Sequence, residues 1–167
     1  AQLRRRDVVR VDGVDVLQIT DEGEGQKVKT AAGVRTVPIH SELIRLGFLD
    51  YVVGLGGPED GSLWPKLPLR AGKPGGFFSQ WFGEYRRSLG FERQPDLHCM
   101  RHTVRTTLAD ADVAEPVIDQ LLGHQVKGST GARVYTHRSI AHLQAAIERV
   151  SYPSKVAPRV FPQRVAA

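Results

Sequence analysis

A chain of 167 residues is long enough to bury one sizeable core and too short for two comfortable domains. Its composition, 41% hydrophobic and 25% charged with the single cysteine Cys99, excludes an internal disulfide framework and a four-cysteine zinc cluster, and fits a reducing, intracellular setting. No apolar run nears the roughly 20 residues of a membrane span, no signal-peptide pattern opens the chain, and the net charge of +5 suits a polyanionic partner.

The opening Ala1-Gln2-Leu3-Arg4-Arg5 reads as the end of a helix already in progress. Met100 is the sole methionine, so a piece of a longer chain is expected. Val8 to Ile19, with the β-branched Val14, Val16 and Ile19, predicts a first strand, ended by the turn chemistry of Asp21 to Gly25. Gln26 to Thr30 predicts a second strand, Ala31-Ala32-Gly33 a tight turn, and Val34 to Ile39 a third strand with Val37 and Ile39 on one side. Pro38 cannot donate to a ladder, so that last strand belongs at an edge.

Helices dominate from there on. Ser41 to Val53 carries Leu43, Ile44, Leu46 and Phe48 on one stripe, with Ser41 as the expected cap. A Gly/Pro-rich loop follows from Gly54 to Gly75, interrupted by Leu63-Trp64. Phe77, Phe78, Trp81, Phe82 and Tyr85 have the spacing of a buried helix face. Asp96 is a suitable N-cap for a helix to about Asp110, with Leu97, Met100, Val104 and Leu108 as its core stripe. A short helix from Pro116 to Leu122 should stop at Gly123, and Ser139 to Val150 should form the last helix. The segment Pro153 to Ala167, with prolines at 153, 158 and 162, is expected to leave the body as a tail, giving a domain over 1–152 and a tail over 153–167. The fold class is α+β: mostly helical, with a small three-stranded antiparallel sheet near the start of the chain.

The densest chemistry lies in Asp96-Leu97-His98-Cys99-Met100-Arg101-His102-Thr103. On a helix His98 and Arg101 share a face. A guanidinium offers a planar fork of donors matched to phosphate oxygens, and an imidazole moves a proton near neutral pH. Taken alone, the pair fits a surface ion pair better than a catalytic site. His98 and His102 also have the helical spacing of a zinc-protease pair, but Cys99 stands where that motif needs its glutamate. His102 is expected to be packed inside, and Cys99 to be an inert buried thiol. Leu121-Leu122-Gly123-His124 sets a histidine just past a helix C-terminus, where the dipole favours its protonated form. Tyr135, in Arg133-Val134-Tyr135-Thr136-His137, lies among basic groups that would stabilise a phenolate.

The order His-x-x-Arg-His, Leu-Leu-Gly-His, then Tyr before a final amphipathic helix resembles the tyrosine recombinase (phage integrase) family. Lys27 to Pro38 resembles that family's β-hairpin, and the resemblance runs from about Leu3 to Pro153. It implies a site-specific recombinase that cleaves and rejoins DNA through a 3′-phosphotyrosyl link. Tyr135 would be the nucleophile, Arg101 and His124 donors to the non-bridging oxygens, and His98 a proton shuttle. Lys29 would protonate the leaving 5′-oxygen, with Lys27 as its rival. Lys27, Arg35 and Arg105 would contact DNA. No metal, nucleotide or other cofactor is implied. The expected partners are double-stranded attachment sites and sister subunits in a tetramer on DNA, with no membrane and no small-molecule substrate, in the bacterial cytoplasm at the nucleoid. The family's first catalytic arginine would fall before Leu3-Arg4-Arg5-Arg6-Asp7, ahead of residue 1, so the chain alone is expected to be inactive. A type IB topoisomerase-like nicking-closing enzyme and a degenerate DNA-binding remnant are the alternatives.

Overall fold

The computed structural model describes residues 2–68, 75–92, 96–124 and 138–151. It is an α+β fold with a three-stranded antiparallel sheet in the order β1-β2-β3. Strand β1 (Val8–Val11) and β2 (Val14–Ile19) form a hairpin, with Val8 opposite Leu17 and Val11 opposite Val14. The expected single strand from Val8 to Ile19 is therefore two strands. Asp12 and Gly13 turn the chain with φ of 50° and 79°, both positive as a two-residue type I′ turn demands.

Gln26 to Thr30, expected as a strand, is none. Its first residue is drawn inward instead: the buried Gln26 side chain donates from Nε2 to Asp7 Oδ2 at 2.7 Å. A short 3-10 turn at Ala31–Gly33 then delivers the chain to β3 (Arg35–Pro38), which pairs with β2 through Val16 opposite Pro38 and Ile19 opposite Arg35. Among the described residues β3 has β2 as its sole strand partner, so Pro38 does sit on an edge. Val37 and Ile39, expected on one side, diverge. Val37 packs on the helical core and Ile39 on a second cluster under the sheet. The opening residues are not a helix end either. Leu3 accepts from the Leu63 amide at 2.9 Å, Arg4 bridges Ser62, and Arg5–Asp7 is a 3-10 turn that buries Asp7.

The expected helix from Ser41 to Val53 is broken into α1 (Ser41–Arg45) and α2 (Phe48–Gly54). Gly47 breaks it, with a φ of 90° that few other residues tolerate. His40, not Ser41, caps α1: its Nδ1 accepts from the Glu42 amide at 3.0 Å. Ser41 is bound instead to Glu148, whose oxygens accept from its amide at 2.8 Å and its hydroxyl at 2.6 Å. Helix α3 (Gly76–Ser88) buries none of its residues, contrary to the expected buried aromatic face. Trp81 is 52% exposed, and its ring stacks on Tyr85 with centroids 5.3 Å apart.

Helices α4 (Leu97–Asp110), α5 (Glu115–Leu122) and α6 (Ile140–Ile147) form the main core with one face of β3. Leu108, Val117, Ile118, Leu121, Leu143 and Val150 are its buried centre. Val104 packs against them, whereas Met100, expected on the same stripe, is exposed. Ile118 is fully buried, so Ile118→Val should cost about 0.5–1.5 kcal/mol through the lost methylene and the void it leaves. A fall in the urea midpoint without a change of slope would register it. No described helix is long and apolar enough to cross a membrane. The proposed tail over 153–167 lies outside the described residues.

Candidate active site

The site is assembled where the N-terminal half of α4 meets the C-terminus of α5 and the start of β3. Asp96 caps α4 as expected, its carboxylate accepting from the Cys99 amide at 2.8 Å, a bond that also lowers the Asp96 pKa. The helix so begun carries His98, Arg101 and Arg105.

Helix α5 ends in a Schellman turn. Gly123 takes φ 66°, its amide donates to Gln120 O at 3.3 Å, and the His124 amide donates to Asp119 O at 2.9 Å. This closure aims the His124 ring at α4, where Arg101 Nε donates to His124 Nε2 at 3.1 Å. The same guanidinium donates from Nη2 to Leu122 O, so Arg101 caps the helix end that holds its histidine partner.

Two more arginines complete the cluster. Arg105 pairs with Asp119 at 2.9 Å and with Glu115, and its Nη1 lies 2.9 Å from His124 Nδ1. A neutral imidazole accepts at one nitrogen only. The Arg101 approach to Nε2 at 3.1 Å and the Arg105 approach to Nδ1 at 2.9 Å therefore compete for one acceptor, and Nδ1 also faces Asp119 Oδ1 at 3.4 Å. Arg35, from β3, donates from Nε to Leu121 O at 3.0 Å and from Nη1 to Gly33 O at 2.9 Å. Burial, and then the nearby Arg101 charge, hold the Arg35 guanidinium below its ordinary pKa.

His124 itself titrates below its ordinary value. Burial is the main cause, the charges of Arg101 and Arg105 add to it, and Asp119 opposes them. The helix end that favours a protonated imidazole is thus opposed by burial and by two guanidinium charges.

The positions singled out in the sequence are brought together in part. Arg101 and His124, 23 residues apart, meet directly. His98 shares the α4 face with Arg101 but is exposed one turn away, its ring edge-on to His102 with centroids 4.6 Å apart. No hydrogen bond joins it to Arg101 or His124 among the described residues. His98 also lines a cavity of about 300 Å³ between α3 and α4, together with Ser79, Phe82 and Arg86. His102 is exposed, not packed inside, and Cys99 is half-buried. Lys29 and Lys27 are exposed on the loop before Ala31–Gly33. Arg35 and Arg105, considered as DNA contacts, each turn donors to oxygens of the protein itself. Tyr135 lies outside the described residues.

Sequence reasoning missed Asp119 as a determinant of the site, though it placed Gly123 at the helix end. Asp119 stands five residues before His124, a spacing that returns to the same helix end only if Gly123 adopts the left-handed cap. Compared with protein-family models, with curated proteins and with solved structures, the chain matches none.

Proposed function

We propose that the chain is the catalytic part of a tyrosine-type site-specific DNA recombinase. The carrying observation is the direct contact of Arg101 with His124, on which two separate sequence motifs converge. Arg35 and Arg105 surround that contact and make its neighbourhood cationic. Such a cluster suits a phosphate whose charge grows in the transition state.

In this mechanism the Tyr135 oxygen bonds to phosphorus while the bond from phosphorus to the 5′-oxygen breaks, its electron pair remaining on that oxygen. The tyrosine proton leaves by way of His98, and the Lys29 ammonium supplies the proton that the 5′-oxygen takes up. Arg101 and His124 donate to the two non-bridging oxygens. The resulting 3′-phosphotyrosyl bond keeps the phosphodiester's energy, so reversal with a second 5′-hydroxyl rejoins DNA without a metal or nucleotide. The partners are duplex attachment sites and sister subunits, four to an assembly, in the bacterial cytoplasm.

A phosphate bound beside His124 favours the protonated imidazole, which donates from both ring nitrogens. The free-state pKa lies below the usual value of about 6.5. A bound phosphate raises it, so binding takes up a proton and affinity increases as pH falls between the bound and free values. The DNA-free fold behaves oppositely. Its depressed histidine contributes stability above about pH 6.5 that is lost as pH falls through the folded-state value. Anisotropy of labelled duplex between pH 8 and 6 should show tighter binding on acidification, and His124→Gln should flatten the profile. A profile unchanged by that substitution contradicts the assigned role.

The degenerate DNA-binding remnant is the second reading. The observation in its favour is the internal bonding of Arg35 and Arg105. A nicked suicide duplex separates the two. Incubated with a protein that also carries the arginine expected upstream of Leu3, it should give a covalent adduct stable to denaturing electrophoresis and lost in Tyr135→Phe. A remnant binds the duplex and forms no adduct.

A further inference from the structure

We propose that Arg35 is a positioning residue that seats the Lys29 loop on the turn carrying His124, holding the proton donor and the phosphate-binding groups in one geometry. This rests on the recombinase reading for the role of Lys29, and on geometry for the seating.

The geometry has three parts. Arg35 bridges two carbonyls from distant segments: Leu121 O in the last turn of α5, and Gly33 O in the turn that ends the Lys29 loop. That turn then lies directly against Gly123. A Cβ on Gly123 would fall 2.8 Å from Ala32 O and 2.7 Å from Arg35 Nη1, so the two segments touch with no room for a side chain. Finally, Gly33 N donates to Thr30 O at 2.8 Å and Val34 N to Ala31 O at 3.1 Å, which ties residue 30 into the seated turn. Lys29 is three residues before Ala32, so their Cα atoms are at most roughly 11 Å apart. Whatever fixes the 31–33 turn on Gly123 therefore fixes where Lys29 starts its reach. A planar guanidinium bridges two carbonyls in fixed directions, which a lysine ammonium at the same place does not reproduce.

A leaving group that needs no proton tests this directly. On ordinary DNA, Arg35→Gln should slow adduct formation by about 100-fold, the size of loss that a displacement near 1 Å brings. On a duplex with a bridging sulfur at the scissile 5′ position, the thiolate leaves unprotonated, and the variant should regain most of its loss, the remainder being the positive charge that glutamine removes beside the phosphate. Arg35→Lys should follow the same pattern. Equal losses on both substrates, or no loss on ordinary DNA, overturn the positioning role. Amide exchange supplies a readout independent of activity. Both variants should accelerate exchange across residues 27–34 and leave α4 unchanged, and unaltered exchange there overturns the seating. A parent protein that carries the arginine expected upstream of Leu3 and still forms no adduct on either substrate counts against the recombinase reading, while exchange still decides whether Arg35 holds the loop.

Discussion

Arg101→Ala is expected to slow DNA cleavage by about 10²–10³-fold, the usual effect of removing one preorganised donor from a charge-stabilising site. The loss should fall on the chemical step, because the donor matters most when negative charge has built up on the phosphate oxygens. Single-turnover adduct formation at saturating DNA isolates that step. Arg101 also caps Leu122 O and bonds His124 Nε2, so its removal frees the histidine from its acceptor role. The same variant should therefore show His124 titrating closer to its ordinary value, because a cationic neighbour that depressed it has gone. An NMR titration of the imidazole would record the upward move. Cleavage within a fewfold of the parent would remove Arg101 from the site.

Gly123→Ala should be strongly destabilising, because backbone strain and a steric collision coincide there. An L-residue at φ 66° costs about 1–2 kcal/mol by itself. The added Cβ then meets Arg35 Nη1 at 2.7 Å, Arg35 Cζ at 3.0 Å and Ala32 O at 2.8 Å. The guanidinium can swing away, but the Ala32 carbonyl is backbone, so the 31–33 turn must move with it. Together these effects should destabilise the protein by about 2–4 kcal/mol, a fall of roughly 4–16 °C in Tm. Adding Arg35→Gln removes the side-chain collision and leaves the backbone one. The double variant should therefore recover part of the lost Tm and none of the lost geometry around Lys29. Full recovery would mean that the turn does not rest on Gly123.

The elements around the site were legible because local signals there agree with one another. Asp96, Ser139 and Gly123 each stand at the position where helix chemistry wants them, and the apolar period of α5 and α6 points one way. The sheet was legible as a class and not in its strands. Asp12-Gly13 is a strong hairpin signal, yet it sits inside a valine-rich run that reads as continuous. The strand expected at Gln26 was lost to a long-range bond with Asp7, 19 residues away. No local pattern encodes that bond. The aromatic period of α3 was read as burial, but periodicity reports a face and not what covers it.

Within the site, Arg101 and His124 could be paired from motif order alone. The lowered pKa of His124 could not, because it follows from burial and from Arg101 and Arg105, brought close by the packing of α4 on α5. The bond from Arg35 to Leu121 O spans 86 residues and was equally out of reach.

The central claim is that Tyr135 is the nucleophile and that it holds the 3′ end of the cut strand. Peptide mapping of the protein–DNA adduct trapped on a nicked suicide duplex tests it most directly. After proteolysis and nuclease trimming, the residual nucleotide should be found on the peptide containing Tyr135, linked through its 3′-phosphate. A nucleotide on another residue, a 5′-phosphate linkage, or no adduct from a duplex-binding protein that also carries the arginine expected upstream of Leu3 would contradict it.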